Sequence, residues 1–383
     1  MTTPLNGLRV VELGALGPAP FAASVLGDMG ADIVRIDRPL ATDLGIAVPS
    51  KIDMYNRNKR SVALDLKNPE AVEVVLKMVE KADILIEGFR PGVAERLGLG
   101  PEVCLQKNTR LIYGRMTGWG QDGPMAQIPG HDINYLSLTG ALQAIGEKDG
   151  RPVPPLNLVA DLGGGAMYLV VGVLAAVIES KVSGKGQVVD AAMIDGVSNL
   201  MTAFLGFRQE NMWSLERGDN FVDGGAPFYR TYETSDGKYV AVGAIESRFY
   251  QDLLKGLSLD NEELPSQNDR SGWPQLEQLF ASRFKTKTRD EWVSTMTSLE
   301  ACFSPVLDMD EALQDPHMKA REVFTDFHGV THPSPAPRFQ RTPASLRYEP
   351  PEPGQHSRAV LSEWGFDEAE VKNYFASGIV VQR

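Results

Sequence analysis

The stretch LRVVELGALGPAPFAASVLGDMGADIVRID, residues 8–37, sets the fold. Its two ends, LRVVEL (8–13) and ADIVRID (31–37), are short runs rich in Val, Ile and Leu, the texture of parallel strands buried on both faces. The residues between them are long enough for one helix. The same alternation continues through SVALDL (61–66), ADILIEGF (82–89) and RLIYGRMTG (110–118). The clearest intervening helix follows Asn68-Pro69-Glu70, which supplies an N-cap, a proline at the first helical position and an acidic first turn. Strand and helix in alternation predict a parallel sheet covered by helices, with ligands beyond the carboxyl ends of the strands.

Further along, a second long helix is expected to start after Asp161 and run to about Lys181, followed by the strand GQVVDAA and another helix through about Gln209. Its most apolar part, residues 166–178, is too short to span a bilayer and reads as a buried core helix. The texture changes near residue 220. FYRTYETSDGKYVAVGAIE (228–246) is two β-rich runs joined by Ser-Asp-Gly-Lys, a hairpin signal. Helices are expected around 247–257, 274–285 and 289–299, which together make a smaller α+β unit. The proline-rich segment 332–354 reads as an extended linker, and 357–376 returns to helix.

Bulk properties narrow the function. The chain has 383 residues, enough for two or three domain-sized units or one large unit with an insertion. Its formal charge of −12 argues against nucleic acid as the main partner, yet leaves room for a local basic pocket. The two cysteines, Cys104 and Cys302, form no CxxC pair, which fits a reducing compartment, and the five histidines lack metal-ligand spacing. The N-terminus lacks the pattern of a secretory signal and the C-terminus is not of the SKL type, so a cytoplasmic location is expected, without a membrane partner. After the first strand, Gly14 and Gly17 do not complete GxGxxG, and Pro18 and Pro20 lack amide donors, so a nicotinamide or flavin site is not expected there.

Three positions carry chemistry. His131, in Pro-Gly-His-Asp-Ile-Asn-Tyr (129–135), follows a glycine-rich loop, where an α/β enzyme places an acid/base group; a structural histidine is the plainer reading. Asp161 stands in Asn-Leu-Val-Ala-Asp-Leu-Gly-Gly-Gly (157–165); it fits an ordinary helix N-cap, or a site where Gly163 and Gly164 let backbone amides approach a ligand. Glu246, in Val-Gly-Ala-Ile-Glu-Ser (242–247), fits a strand-to-helix junction or a solvated surface. Arg38, Lys59, Arg60, Arg90 and Arg96 cluster near expected strand ends and are candidates for binding phosphate.

Taken in order, LRVVELGALGPAPFAASVLGDMGADIVRIDRP, GHDINYLSLTGAL, PPLNLVADLGGGAMYLVVGVLAA and NFVDGGAPFYRTYETSDGKYVAVGAIE resemble the family III coenzyme A transferases, and within them the α-methylacyl-CoA racemase branch. The resemblance runs from about residue 5 to 340. It implies a Rossmann-like large domain (1–200 and 330–383), linkers at 201–224 and 316–329, a small α+β domain (225–315) and an interlocked homodimer. It also implies an acyl-CoA substrate, no separate cofactor, and an active site of His131 and Asp161 from one chain with Glu246 from the other. The implied reaction is inversion of the thioester α-carbon by two bases through an enolate, with Glu246 orienting His131 and donors near Gly163 and Gly164 stabilising the enolate. Two rivals remain: CoA transfer with Asp161 as nucleophile, and a catalytically silent acyl-CoA-binding protein.

Overall fold

The computed structural model describes residues 2–39 and 48–382. They form two compact units. The larger comprises Met1–Thr139, Leu156–Leu200 and Glu322–Arg383; the smaller comprises Gly140–Pro155 and Met201–Arg321.

The larger unit is built on β1 (Arg9–Leu13), β2 (Asp32–Asp37), β3 (Lys59–Leu64), β4 (Ile84–Glu87), β5 (Ile112–Thr117) and β6 (Gln187–Ala192). All six run parallel in the order β3-β2-β1-β4-β5-β6, and a short antiparallel strand, Val380–Val381, closes the β3 edge. Every residue of β3, β4 and β5 is buried, as central strands covered on both faces require. Helix Pro69–Val79 covers one face. Asn68 caps it by accepting from the Glu70 amide at 3.0 Å, with proline at the helix start. Val75 and Met78 of that helix pack with Val11, Val34, Leu64 and Leu85 of the sheet. The C-terminal tail completes this core through Val360, Leu361 and Trp364.

The smaller unit holds an antiparallel sheet of Tyr229–Glu233, Tyr239–Gly243 and Phe303–Pro305. The hairpin turns at Ser235-Asp236-Gly237-Lys238, where Gly237 takes φ +73° and Thr234 Oγ1 donates to Asp236. Helices Ser247–Gly256, Trp273–Phe284 and Arg289–Met296 cover one sheet face through Tyr250, Leu253, Phe280, Phe284 and Trp292.

Three features depart from the sequence reading. Residues 201–224 are not a bare linker: besides the helix expected to run to about Gln209, here Thr202–Gln209, they hold an aromatic cluster of Phe204, Phe207, Trp213 and Phe221. Arg217 from this segment donates to the Gln143 and Gly150 carbonyls, which draws Gly140–Pro155 into the smaller unit. Finally, the long helix starts earlier than expected, as a π-helix over Leu158–Ala166 continuing as α-helix through Met167–Ser183. It is not a fully buried core helix. Leu169, Val170 and Val173 face inward, while Val171, Ile178 and Val182 are 64%, 67% and 89% exposed. By length and composition alone, Leu158–Ser183 is apolar enough to cross a membrane.

Candidate active site

The strand order reverses between β1 and β4, so the crevice of this sheet opens beyond Leu13 and Glu87. The loop after β4 is braced from below. Glu87 accepts from the Phe89 amide at 2.6 Å and from Arg115 at 2.9 Å, and this fixes the chain where Arg90 emerges exposed. Arg90 is near enough to bear electrostatically on Tyr135, and so belongs to the same edge of the sheet as His131.

His131 is delivered by the loop after β5. Trp119 donates to the Ile128 carbonyl at 3.0 Å and meets Tyr135 edge to face at 4.7 Å, while the Tyr135 hydroxyl donates to the Gly130 carbonyl. The Tyr135 ring lies so close to Gly118 that a Cβ there would sit 2.0 Å from it, so only glycine fits. His131 then ends the loop in extended conformation, its amide donating to Asn134 Oδ1 at 3.0 Å, immediately before helix Asp132–Leu138. Its ring is exposed.

Asp161 is half-buried and lies inside the π-helix rather than at its cap. A π-turn is wider than an α-turn and is found mostly at functional sites. Asp161 Oδ2 accepts from Asn157 Nδ2 at 3.2 Å, and lies where a Cβ on Gly17 would approach within 3.5 Å, so the loop after β1 passes beside it. Burial raises the Asp161 carboxyl above its ordinary value; the Asn157 bond and the His131 ring oppose this, and the Asp132 charge adds to it. His131 and Asp161, quoted from different loops, are therefore electrostatic neighbours. Between them lies Asp132, whose Oδ2 accepts from the Ala160 amide at 2.9 Å and the Asp161 amide at 2.8 Å.

The glycine run has another role than the one expected. Gly164 sits against helix Met193–Leu200: a Cβ on Gly196 would lie 1.8 Å from the Gly164 carbonyl oxygen, and one on Gly164 would lie 2.7 Å from the Val197 amide. Gly164 is thus packed backbone to backbone, and Gly163, half-buried in the same helix, has the Leu200 side chain beside it. Their amides point along the helix instead of toward a ligand.

Two of the phosphate candidates also fall away. Lys59 is completely buried, 2.6 Å from Glu12 Oε2, and donates to the Pro20 carbonyl at 2.8 Å. Burial pushes its ammonium down to about 8, with Glu12 opposing. Arg60 is bonded to both oxygens of Asp32, the first residue of β2, which turns it to the amino edge of the sheet, and to Glu363. Arg38, beyond the carboxyl end of β2, and Arg90 and Arg96, beyond that of β4, are exposed. Glu246, in the smaller unit, directly precedes helix Ser247–Gly256; its side chain is exposed and does not cap that helix. Among the described residues, no group of three or more His, Cys, Asp or Glu side chains is arranged to hold a metal ion.

A histidine and a carboxylate near enough to influence each other electrostatically can each take up and return a proton. The family model of CoA-transferase family III matches residues 5–357. The chain belongs to CoA-transferase family III. Among family III relatives, mouse alpha-methylacyl-CoA racemase is 45% identical over 98% of this chain and 97% of its own length. The human protein of the same name is 42% identical, covering 96% and 95%. A Chloroflexus aurantiacus relative named succinyl-CoA–L-malate CoA-transferase beta subunit is 31% identical over 94% of both chains. The crystal structure of a CAIB/BAIF family protein from Brucella suis superimposes with a TM-score of 0.83 at 26% identity, covering 95% of this chain and all of that one. Within this family III site, sequence reasoning passed over Asp132, Asn157 and Tyr135. The first two had a visible signal: Asp132 is adjacent to the histidine, and Asn157 stands one helical turn before Asp161.

Proposed function

We propose that this protein interconverts the (R) and (S) forms of 2-methylacyl-CoA thioesters by two-base proton transfer through an enolate. The observation that carries the reading is the pairing of an exposed imidazole with a half-buried carboxylate, His131 and Asp161, close enough to act on one another electrostatically. The mouse and human relatives named as racemases support it at the level of the whole chain. Inversion needs a proton taken from one face of the α-carbon and returned to the other, which one base cannot do without turning the substrate over. Burial raises the Asp161 carboxyl above its ordinary value, which favours its holding a proton as well as releasing one. The reaction as written requires no cofactor beyond the coenzyme A carried by the substrate. Arg38, Arg90 and Arg96 are the cations we assign to its phosphates.

The homodimer belongs to the same proposal. We assign the exposed apolar face of the long helix, Val171, Ile178 and Val182, to a second copy of the chain. In that assembly Glu246 of one protomer orients His131 of its partner. A cytoplasmic location fits this chemistry.

The 31% identity to a named CoA-transferase makes transfer the one competing reaction, with Asp161 as nucleophile. A single enantiomer of a 2-methylacyl-CoA, incubated without any carboxylic acid, separates the two. Both enantiomers should reach the same near-equal mixture while the thioester stays intact. Strict dependence on an added acid, with labelled CoA moving onto it, would establish transfer instead.

A further inference from the structure

Helix starts leave backbone donors without partners, and a π-helix leaves more of them than an α-helix because its bonds span five residues. The π-helix Leu158–Ala166 has no local remedy: Asn157 precedes it, but its side chain makes no capping bond. Two of the orphan donors, Ala160 N and Asp161 N, instead meet one oxygen of Asp132, a residue 28 and 29 positions earlier in the chain. Asp132 is 6% exposed, and its other oxygen, Oδ1, is buried without a hydrogen-bond partner. A buried carboxylate satisfied on one side only is costly. A helix cap could be supplied more cheaply by a local Ser or Thr. What a local cap cannot do is join two elements. Asp132 is bonded covalently to His131 and, through its carboxylate, to the amide of Asp161.

We infer that Asp132 is a positioning residue that sets the separation of His131 and Asp161 by tying the turn that carries the first to the helix that carries the second. The inference rests on the racemase reading and deepens it. The path from one base to the other runs through one peptide bond and one hydrogen bond of 2.8 Å, with no long side chain or mobile loop between. Inversion requires both bases to address the same α-carbon, so slack in this link costs inversion more than it costs proton exchange at either base alone. Asp132 also acts on its neighbour by charge. The groups that face Asp161 are Asn157, Asp132, His131 and Tyr135, and of these only Asp132 brings a negative charge.

Two substitutions separate the tether from the charge. In Asp132→Asn the amide oxygen can still accept from both backbone donors, while the charge is gone. In Asp132→Ala both are lost. Each variant and the wild type are given single enantiomers of a 2-methylacyl-CoA in D₂O, with inversion and α-deuterium uptake followed together. Exchange of the Ala160 and Asp161 amides is read separately. Asp132→Ala should lose inversion by about a hundredfold, the loss that misplacing a reacting group by about an ångström brings. It should keep the α-proton exchange that His131 alone supports, and its two amides should lose protection. Asp132→Asn should keep the wild-type ratio of inversion to exchange and the amide protection. The limb of its pH–rate profile set by Asp161 should move to lower pH, because removing a neighbouring negative charge makes the carboxyl easier to ionise. An Asp132→Ala protein whose inversion-to-exchange ratio equals that of wild type would overturn the inference. So would an Asp132→Asn protein that loses that ratio while retaining amide protection. Should Asp132→Ala fail to fold, the Asn variant still decides. A wild-type protein that does not racemise would refute the functional reading instead, and amide protection at residues 160 and 161 would still test the tether.

Discussion

Lys59 and Arg38 both read as basic residues beside a strand, and the structure sets them in opposite surroundings. Lys59 is enclosed with Glu12 beneath the sheet's carboxyl edge, and Arg38 is exposed beyond it. The two should therefore fail differently. Lys59→Met leaves the Glu12 carboxylate buried without its partner, which costs about 3–5 kcal/mol. Urea denaturation should show that loss, with the KM for acyl-CoA unchanged in the protein that remains folded. Adding Glu12→Gln should restore much of it. Arg38→Ala and Arg90→Ala should leave stability nearly untouched and raise KM roughly ten- to a hundredfold, the equivalent of about 1.5–3 kcal/mol for a charge-assisted contact. If CoA and dephospho-CoA substrates lose equally in both variants, neither arginine reads the 3′-phosphate. Sequence could not separate these cases. Charge and proximity to a strand are visible in it, but the edge of the sheet a side chain reaches depends on partners such as Glu12 and Asp32, far from Lys59 and Arg60 in the chain.

At the scale of elements, the strands of the large sheet were legible because β1 to β5 are largely buried and therefore rich in Val, Ile and Leu, while Gln187–Ala192, mostly exposed, still carries a short Val-Val and Ala-Ala run. The hairpin and the three helices of the smaller unit were legible for a similar reason, each carrying its own local signal in a turn glycine, a cap or a helical period. The start of the long helix was not. Leu158–Ala166 contains three adjacent glycines, which read as a place where backbone amides approach a ligand, whereas at Gly164 the cause is a neighbour. Helix Met193–Leu200 crosses so closely that side chains have no room at Gly164 and Gly196. Gly196→Ala should therefore destabilise by at least about 1–3 kcal/mol, since backbone rather than a flexible side chain stands in the way. Gly206, in helix Thr202–Gln209, meets nothing within 4 Å, and Gly206→Ala should stabilise its unit by about 0.5–1 kcal/mol. Denaturation midpoints of the two variants check both signs. Loss of stability of the same size in each would mean that glycine is needed for backbone conformation and not for packing.

For the whole molecule, the exposed face of the long helix is the feature that sequence misread. Apolar periodicity says that a helix will be covered, and it is silent on whether the cover comes from the same chain. Val171, Ile178 and Val182 are uncovered within the larger unit, and we assign them to a second copy. Wild type should be a dimer by light scattering, and Ile178→Asp with Val182→Asp should yield a monomer with little activity; a wild-type monomer at micromolar concentration would remove the dimer from the account. The central claim, however, concerns the two faces of one carbon atom. Its most direct measurement uses His131→Ala and Asp161→Ala separately, each given pure (R) and pure (S) 2-methylacyl-CoA in D₂O, with deuterium at the α-carbon and optical activity followed in the same sample. We predict that inversion falls by about 10²–10⁴-fold in both variants, and that each still labels one enantiomer, the opposite one in the two proteins. Labelling of the same enantiomer by both variants, or racemisation near the wild-type rate in His131→Ala, would contradict the assignment of His131 and Asp161 to opposite faces.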